Sequence, residues 1–182
     1  MNKTADPPLA DDTQRKSHVR HGARGRFLVF PIAVGVLVAF DILLKVWAVE
    51  NLMGQPNLTL LSGILGLTYH ENTGVAFGLG AGQAWGQWVF SGLKMVIIAG
   101  LVWFYFRRLP FERRHWVIRV PIILIIAGGI GNLIDRMTLG HVRDMLMFEF
   151  INFPIFNLAD VYVVVGCFTM AFVTLFIMKE FP

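Results

Sequence analysis

The chain has 182 residues, 55% of them hydrophobic and 15% charged, with a formal net charge of +4 at pH 7. A mean hydropathy of +0.61 excludes an ordinary soluble domain and points to a membrane protein of about one domain. One cysteine, Cys167, excludes an intrachain disulfide and a thiolate metal site.

Residues 1–26 form a polar tail rich in Asp, Pro, Arg and His, and such a composition is expected to be disordered. Residues 27–182 form the membrane domain. Four apolar stretches, near Phe27–Val49, Trp88–Phe106, Val117–Ile134 and Asn157–Met178, are long enough to cross about 30 Å of hydrocarbon as helices. The first follows a long polar tail and ends without a small-residue cleavage site, so it reads as a retained span and not a signal peptide. Between the first and second spans, Asn57–Leu61 and Ile64–His70 read as two short strands about the Ser62-Gly63 turn. A small extracytoplasmic sheet lying on the membrane is expected there, followed by the glycine-rich stretch Gly78–Gly86. Cys167 falls inside the fourth span and is expected to be a buried packing residue.

Basic residues orient the chain. The tail carries Lys3, Arg15, Lys16, Arg20, Arg24 and Arg26, and segment 107–119 carries Arg107, Arg108, Arg113, Arg114 and Arg119. Segment 50–87 has no Lys or Arg, and 135–156 has only Arg136 and Arg143. The positive-inside rule then puts both termini in the cytoplasm and both polar segments outside. The pI of about 9.6 is this topology signal and not a nucleic-acid surface. Trp47, Trp85 and Trp88 fall at the outer boundary and Trp103 and Trp116 near the inner one, as interfacial aromatic belts do.

Polar groups at membrane depth are costly, so their placement is informative. Asp41 and Lys45 lie four apart on one face of the first span. Asn132, Asp135 and Arg136 end the third, Asn157 and Asp160 open the fourth, and Asn72 and Asp144 lie in the outer segments. All reach one level, the outer boundary. Asp41 with Lys45 reads equally as a structural ion pair or as part of a site, and Asp135 beside Arg136 as helix termination or as site support. Asp160, followed by a fully apolar run, is harder to dismiss. A zinc kit would need His-Glu-x-x-His, but His70-Glu71-Asn72-Thr73-Gly74 has glycine at the second histidine position. The serines lack a nearby base. A pair of aspartates remains: two close carboxyls share a proton, so one can activate water while the other protonates a carbonyl, without metal or cofactor.

Five motifs in this order carry a resemblance: Asp41-x-x-x-Lys45; Asn72-Thr73-Gly74-Val75-Ala76-Phe77; Gly131-Asn132-Leu133-Ile134-Asp135-Arg136; Gly140-His141-Val142-Arg143-Asp144; and Phe156-Asn157-Leu158-Ala159-Asp160. Over Phe27 to Met178 the chain resembles the bacterial lipoprotein signal peptidases, also called signal peptidase II. The resemblance implies an α-helical integral membrane protein with four transmembrane helices, a small extracytoplasmic sheet and a surface helix. It implies an aspartic endopeptidase of the bacterial inner membrane, expected to be a monomer, that cuts prolipoproteins just before a diacylglyceryl-modified cysteine of the substrate. Asp144 and Asp160 are implied as the catalytic pair, with Asp41, Lys45, Asn72, Gly74, Asn132, Arg136 and Asn157 in supporting or substrate-binding roles. The chain departs from the family's usual residues at Val75, Arg143, Met145 and Val163; Arg143, if it pointed inward, would favour the ionised form of Asp144. The rival reading is an ion-coupled transporter with Asp41, Lys45 and Asp160 as a proton relay, which would spread its charges through the membrane depth.

Overall fold

The computed structural model of the chain describes residues 12–73, 84–109 and 115–177. In chain order these form α1 (Asp12–Leu52), β1 (Leu58–Leu61), β2 (Leu65–Asn72), α2 (Ala84–Arg107), α3 (Trp116–Leu139), β3 (Val142–Phe148) and α4 (Leu158–Phe172), which continues as a π-helical segment, Val173–Ile177. Three stretches, Leu28–Leu52, Trp116–Leu139 and Leu158–Ile177, are long and apolar enough to cross a membrane. The helix α2, with 24 residues, is the fourth long helix. No separate surface helix is present among the described residues.

The apolar stripe of α1 explains how it packs. Phe30, Val34, Asp41, Lys45, Ala48 and Leu52 are buried, a spacing of threes, fours and one double step that holds one face inward. The face is hydrocarbon at one end, where Phe30 and Val34 join Tyr105, Ile122 and Ile126. Near the sheet it becomes ionic, and Ala48 and Leu52 then pack on Met145 of β3. The opposite faces are apolar too: Leu28, Ile32, Val36 and Leu43 on α1, and Val164, Phe168 and Phe172 on α4, are exposed. An exterior of this kind suits lipid. The helix begins at Asp12, within the polar tail.

α3 is the central helix, packed against α4, α1 and α2. Close approach needs glycine at its contacts. A Cβ on Gly128 would collide with the Ala159 carbonyl oxygen of α4, and one on Gly131 would lie 2.5 Å from Asp41 Oδ2. From the α4 side only Ala159 and Gly166 are fully buried. Cys167, the next residue, is exposed, contrary to the buried role expected: one residue turns the side chain about 100° away from the contact line.

β1, β2 and β3 form one antiparallel sheet in that order. The two strands predicted around Ser62-Gly63 are present, and Gly63 adopts φ 70° in the turn. The third strand, Val142–Phe148, goes beyond the two strands that the sequence predicts. α3 runs to Leu139, beyond the predicted end, and stops at Gly140, whose φ of 79° lets its N–H cap the Arg136 carbonyl. The chain then pairs at once with β2, Val142 opposite Asn72 and Asp144 opposite His70. Alternation is obscured here because Asp144 occupies a buried position and Met145 beside it is buried as well.

Candidate active site

Five elements deliver polar side chains to the sheet end of the bundle. Asp41 and Lys45 come from the last turns of α1, Asn72 from the end of β2, Asn132, Asp135 and Arg136 from the last turns of α3, and Asp144 from β3. Asn157 and Asp160 come from the start of α4. Asp41, Lys45, Asn132, Asp135, Asp144 and Asn157 are all buried, so each needs partners.

The local chemistry at α4 is a capping box. The Asn157 side chain accepts from the Asp160 N–H at 3.0 Å, and the Asp160 carboxylate accepts from the Asn157 N–H at 3.2 Å. The sequence Asn157-x-x-Asp160 therefore starts the helix and aims one carboxylate at the same time. The two hydrogens of the Asn157 amide go to Asp144 Oδ1 at 2.6 Å and Asn132 Oδ1 at 3.0 Å. One asparagine thus ties the two aspartates together. Asp144 Oδ2 accepts from Asn72 at 2.9 Å.

Lys45 sets the orientation of the network. An ammonium only donates. It gives to Asn132 Oδ1 at 3.0 Å, which turns the Asn132 amide nitrogen towards Asp160 Oδ1 at 2.7 Å. Its other neighbours are Asp41 at 2.8 Å and Asp135 at 3.4 Å. Asp41 in turn accepts from the Ala159 N–H at 2.9 Å, capping the first turn of α4 from another helix, where a negative charge also suits the helix dipole. The two readings left open for Asp41 and Lys45 therefore merge: the ion pair is structural, and what it holds is the start of α4 and the Asn132 amide.

Asp135 is a supporting group. It takes Arg143 in a fork, Nη2 to Oδ1 at 2.6 Å and Nε to Oδ2 at 3.3 Å, plus the Arg143 N–H at 3.0 Å. Arg143 is thus committed to Asp135, and the unusual arginine before Asp144 serves to fasten β3 to the end of α3. Arg136, half-buried, feels the charges of both Asp144 and Asp160. Gly74 lies outside the described residues.

Asp144 is 1% exposed. Burial, and the charge of Asp160, push its carboxyl up to about 6 against the pull of its bonds to Asn72 and Asn157 and of the Lys45 charge. Asp160 is half-buried. The arrangement is two carboxyls sharing one asparagine, one deep and one nearer solvent, with amide donors holding each among the described residues. No group of three or more His, Cys, Asp or Glu suited to a metal occurs among the described residues. Such a site supports acid–base activation of water. Sequence reading missed β3, the capping box, the Arg143 fork, and Lys94 on α2. Only the capping box has a local signal.

Residues 33–176 match the model of the family described as signal peptidase (SPase) II. A lipoprotein signal peptidase of Latilactobacillus sakei subsp. sakei is 40% identical over 136 residues, covering 74% of this chain and 86% of that protein. One of Clostridioides difficile is 36% identical over 149 residues, covering 82% and 96%. Among solved structures, a bacterial membrane enzyme determined by the in meso method superposes with a TM-score of 0.70 at 25% identity, covering 81% of this chain and 93% of that one. A second such enzyme gives 0.68 at 24% identity, covering 84% and 90%.

Proposed function

The chain belongs to the signal peptidase II family, so it is a membrane peptidase that processes prolipoproteins, and we propose that it does so as an aspartic endopeptidase whose catalytic pair is Asp144 and Asp160. The resemblance read from five motifs is borne out by the family and its relatives, and a transporter is not supported. The observation that carries the catalytic assignment is the single Asn157 side chain joined to both carboxyl-bearing residues.

In this reading the two carboxyls share one proton. Asp144, deep and with its carboxyl raised to about 6, holds the shared proton. Asp160, nearer solvent, takes a proton from water as the water oxygen attacks the carbonyl carbon preceding the lipidated cysteine. Asp144 gives its proton to the carbonyl oxygen. Collapse of the resulting gem-diol breaks the C–N bond as one of its hydroxyls returns a proton to Asp144, the proton from Asp160 passes to the leaving amine, and the signal peptide departs with a free carboxyl group. Arg136, which feels the charges of both aspartates, suits substrate carbonyls. Asn72, Asn132 and Asn157 keep both carboxyls in place.

Orientation and span number follow the same reading. α2 carries exposed Trp88, Val89, Leu93, Val96 and Ile97 and serves as a fourth span, so both termini are cytoplasmic and the sheet end is extracytoplasmic. The signal helix reaches the pair laterally while its acyl chains stay in lipid, and the enzyme works as a monomer in the bacterial inner membrane.

The test is Asp144→Asn and Asp160→Asn with a purified, diacylglyceryl-modified precursor peptide. Each loses turnover by at least about 10³-fold while the helical circular dichroism is kept. Wild-type turnover in either variant would exclude the pair.

A further inference from the structure

Lys94 stands inside α2 with no role in the network above. It lies on the buried stripe formed by Ser91, Ile98, Leu101, Val102 and Tyr105, the face that packs on α3. A Cβ on Gly129 would lie 2.9 Å from Ile98, so Ile98 marks the level of Gly129. α2 runs away from the sheet and α3 towards it. Lys94, one turn nearer the sheet than Ile98, therefore sits level with Asn132 and Leu133, about 5–6 Å along the axis. The charges that act on it are those of Arg136, Asp160, Lys45 and Asp144. It is only half-buried, and among the described residues no hydrogen bond or ion pair holds its ammonium.

The nearby carboxylate oxygens each already hold an amide donor, and none of them holds the Lys94 ammonium. Both Asp144 oxygens accept from asparagine amides, and both Asp160 oxygens accept from Asn132 and the Asn157 N–H. An ammonium has three donors and no acceptor, so it is complementary to a molecule that brings acceptors. A substrate arriving at this depth brings carbonyl oxygens that hydrocarbon leaves without partners: those of the extended peptide at the scissile bond, and those of the glyceryl esters.

We propose that Lys94 is a positioning residue for the peptidase reaction, donating from the α2 side to carbonyl oxygens of the bound precursor and holding it against the aspartates. The proposal rests on Asp144 and Asp160 being the catalytic pair.

The experiment uses the full-length protein in lipid bicelles, with Lys94→Met and Lys94→Arg, and two precursor peptides, one with ester-linked and one with ether-linked chains. Lys94→Met raises KM about tenfold or more on the ester precursor while kcat stays within about threefold, the pattern of lost uniform binding by a charged donor. Lys94→Arg restores KM to within about threefold. If the wild type already shows the raised KM on the ether precursor, and Lys94→Met adds nothing, the acceptors are ester carbonyls. If the ratio of variant to wild type is the same on both precursors, they are peptide carbonyls. An unchanged KM in Lys94→Met on both, as when the ammonium merely reaches lipid phosphates, overturns the proposal, as does an arginine variant no better than methionine. Lys94→Gln gives the same reading should Lys94→Met not fold. Asp144→Asn and Asp160→Asn are run alongside: if they stay active the catalytic pair itself fails, and if they are silent while Lys94→Met keeps its KM, only the role of Lys94 fails.

Discussion

Asp135→Asn separates the chemistry from its support. Asp135 is 0% exposed and holds Arg143, itself 12% exposed, at 2.6 Å, and Lys45 at 3.4 Å. Breaking a buried pair from one side costs about 3–5 kcal/mol. Three features lower that here: asparagine keeps one acceptor, Lys45 keeps Asp41, and Arg143 can turn towards water. A loss of about 2–3 kcal/mol remains, which for a chain of this size lowers the apparent Tm by roughly 4–12 °C. Turnover per folded molecule should stay within about tenfold of wild type, since no contact to Asp144 or Asp160 is removed. The assay is thermal unfolding in detergent by tryptophan fluorescence, beside initial rates on a lipidated precursor at a temperature where both proteins are folded. Arg143→Gln should lower Tm comparably, and the double variant should lose less than the sum. If Asp135→Asn abolished turnover with an unchanged Tm, Asp135 would belong to the chemistry and the reasoning would be wrong.

The raised carboxyl of Asp144 predicts a pH effect on stability. A folded value of about 6 against the ordinary 3.8 means that the folded protein binds this proton more tightly than the unfolded chain. Stability is then reduced above pH 6 and recovers as pH falls from about 6 towards 4. Tm of the wild type relative to Asp144→Asn should rise between pH 7.5 and pH 5, and parallel curves would show that Asp144 is not the raised group. Gly131→Ala puts a Cβ 2.5 Å from Asp41 Oδ2 and 3.2 Å from its Cγ, and Asp41 is pinned by Lys45 and the Ala159 N–H. It should destabilise by about 1–3 kcal/mol, read as a lower Tm, whereas an unchanged Tm would mean that α1 and α3 separate at no cost.

The sequence alone determined the membrane class, because a small soluble core has no room to bury several apolar runs of hydrocarbon length. It also determined the two strands about Ser62-Gly63, which are local in the chain; the capping signal at Asn157 and Asp160 is local as well, but it was recognised only in the structure. The convergence of Asp41, Asn132, Asp144 and Asp160 on one level was legible because cost at membrane depth is itself a signal. What each group touches was not. Arg143 turning to Asp135, Lys45 orienting the Asn132 amide and Asp41 capping α4 are pairings between residues 8, 87 and 118 positions apart. No local pattern encodes such partners. β3 escaped notice because its alternation includes a buried aspartate, which only a partner strand and two asparagines make tolerable. Lys94 escaped because a lone lysine in an apolar run has no meaning until the neighbouring helix fixes its level.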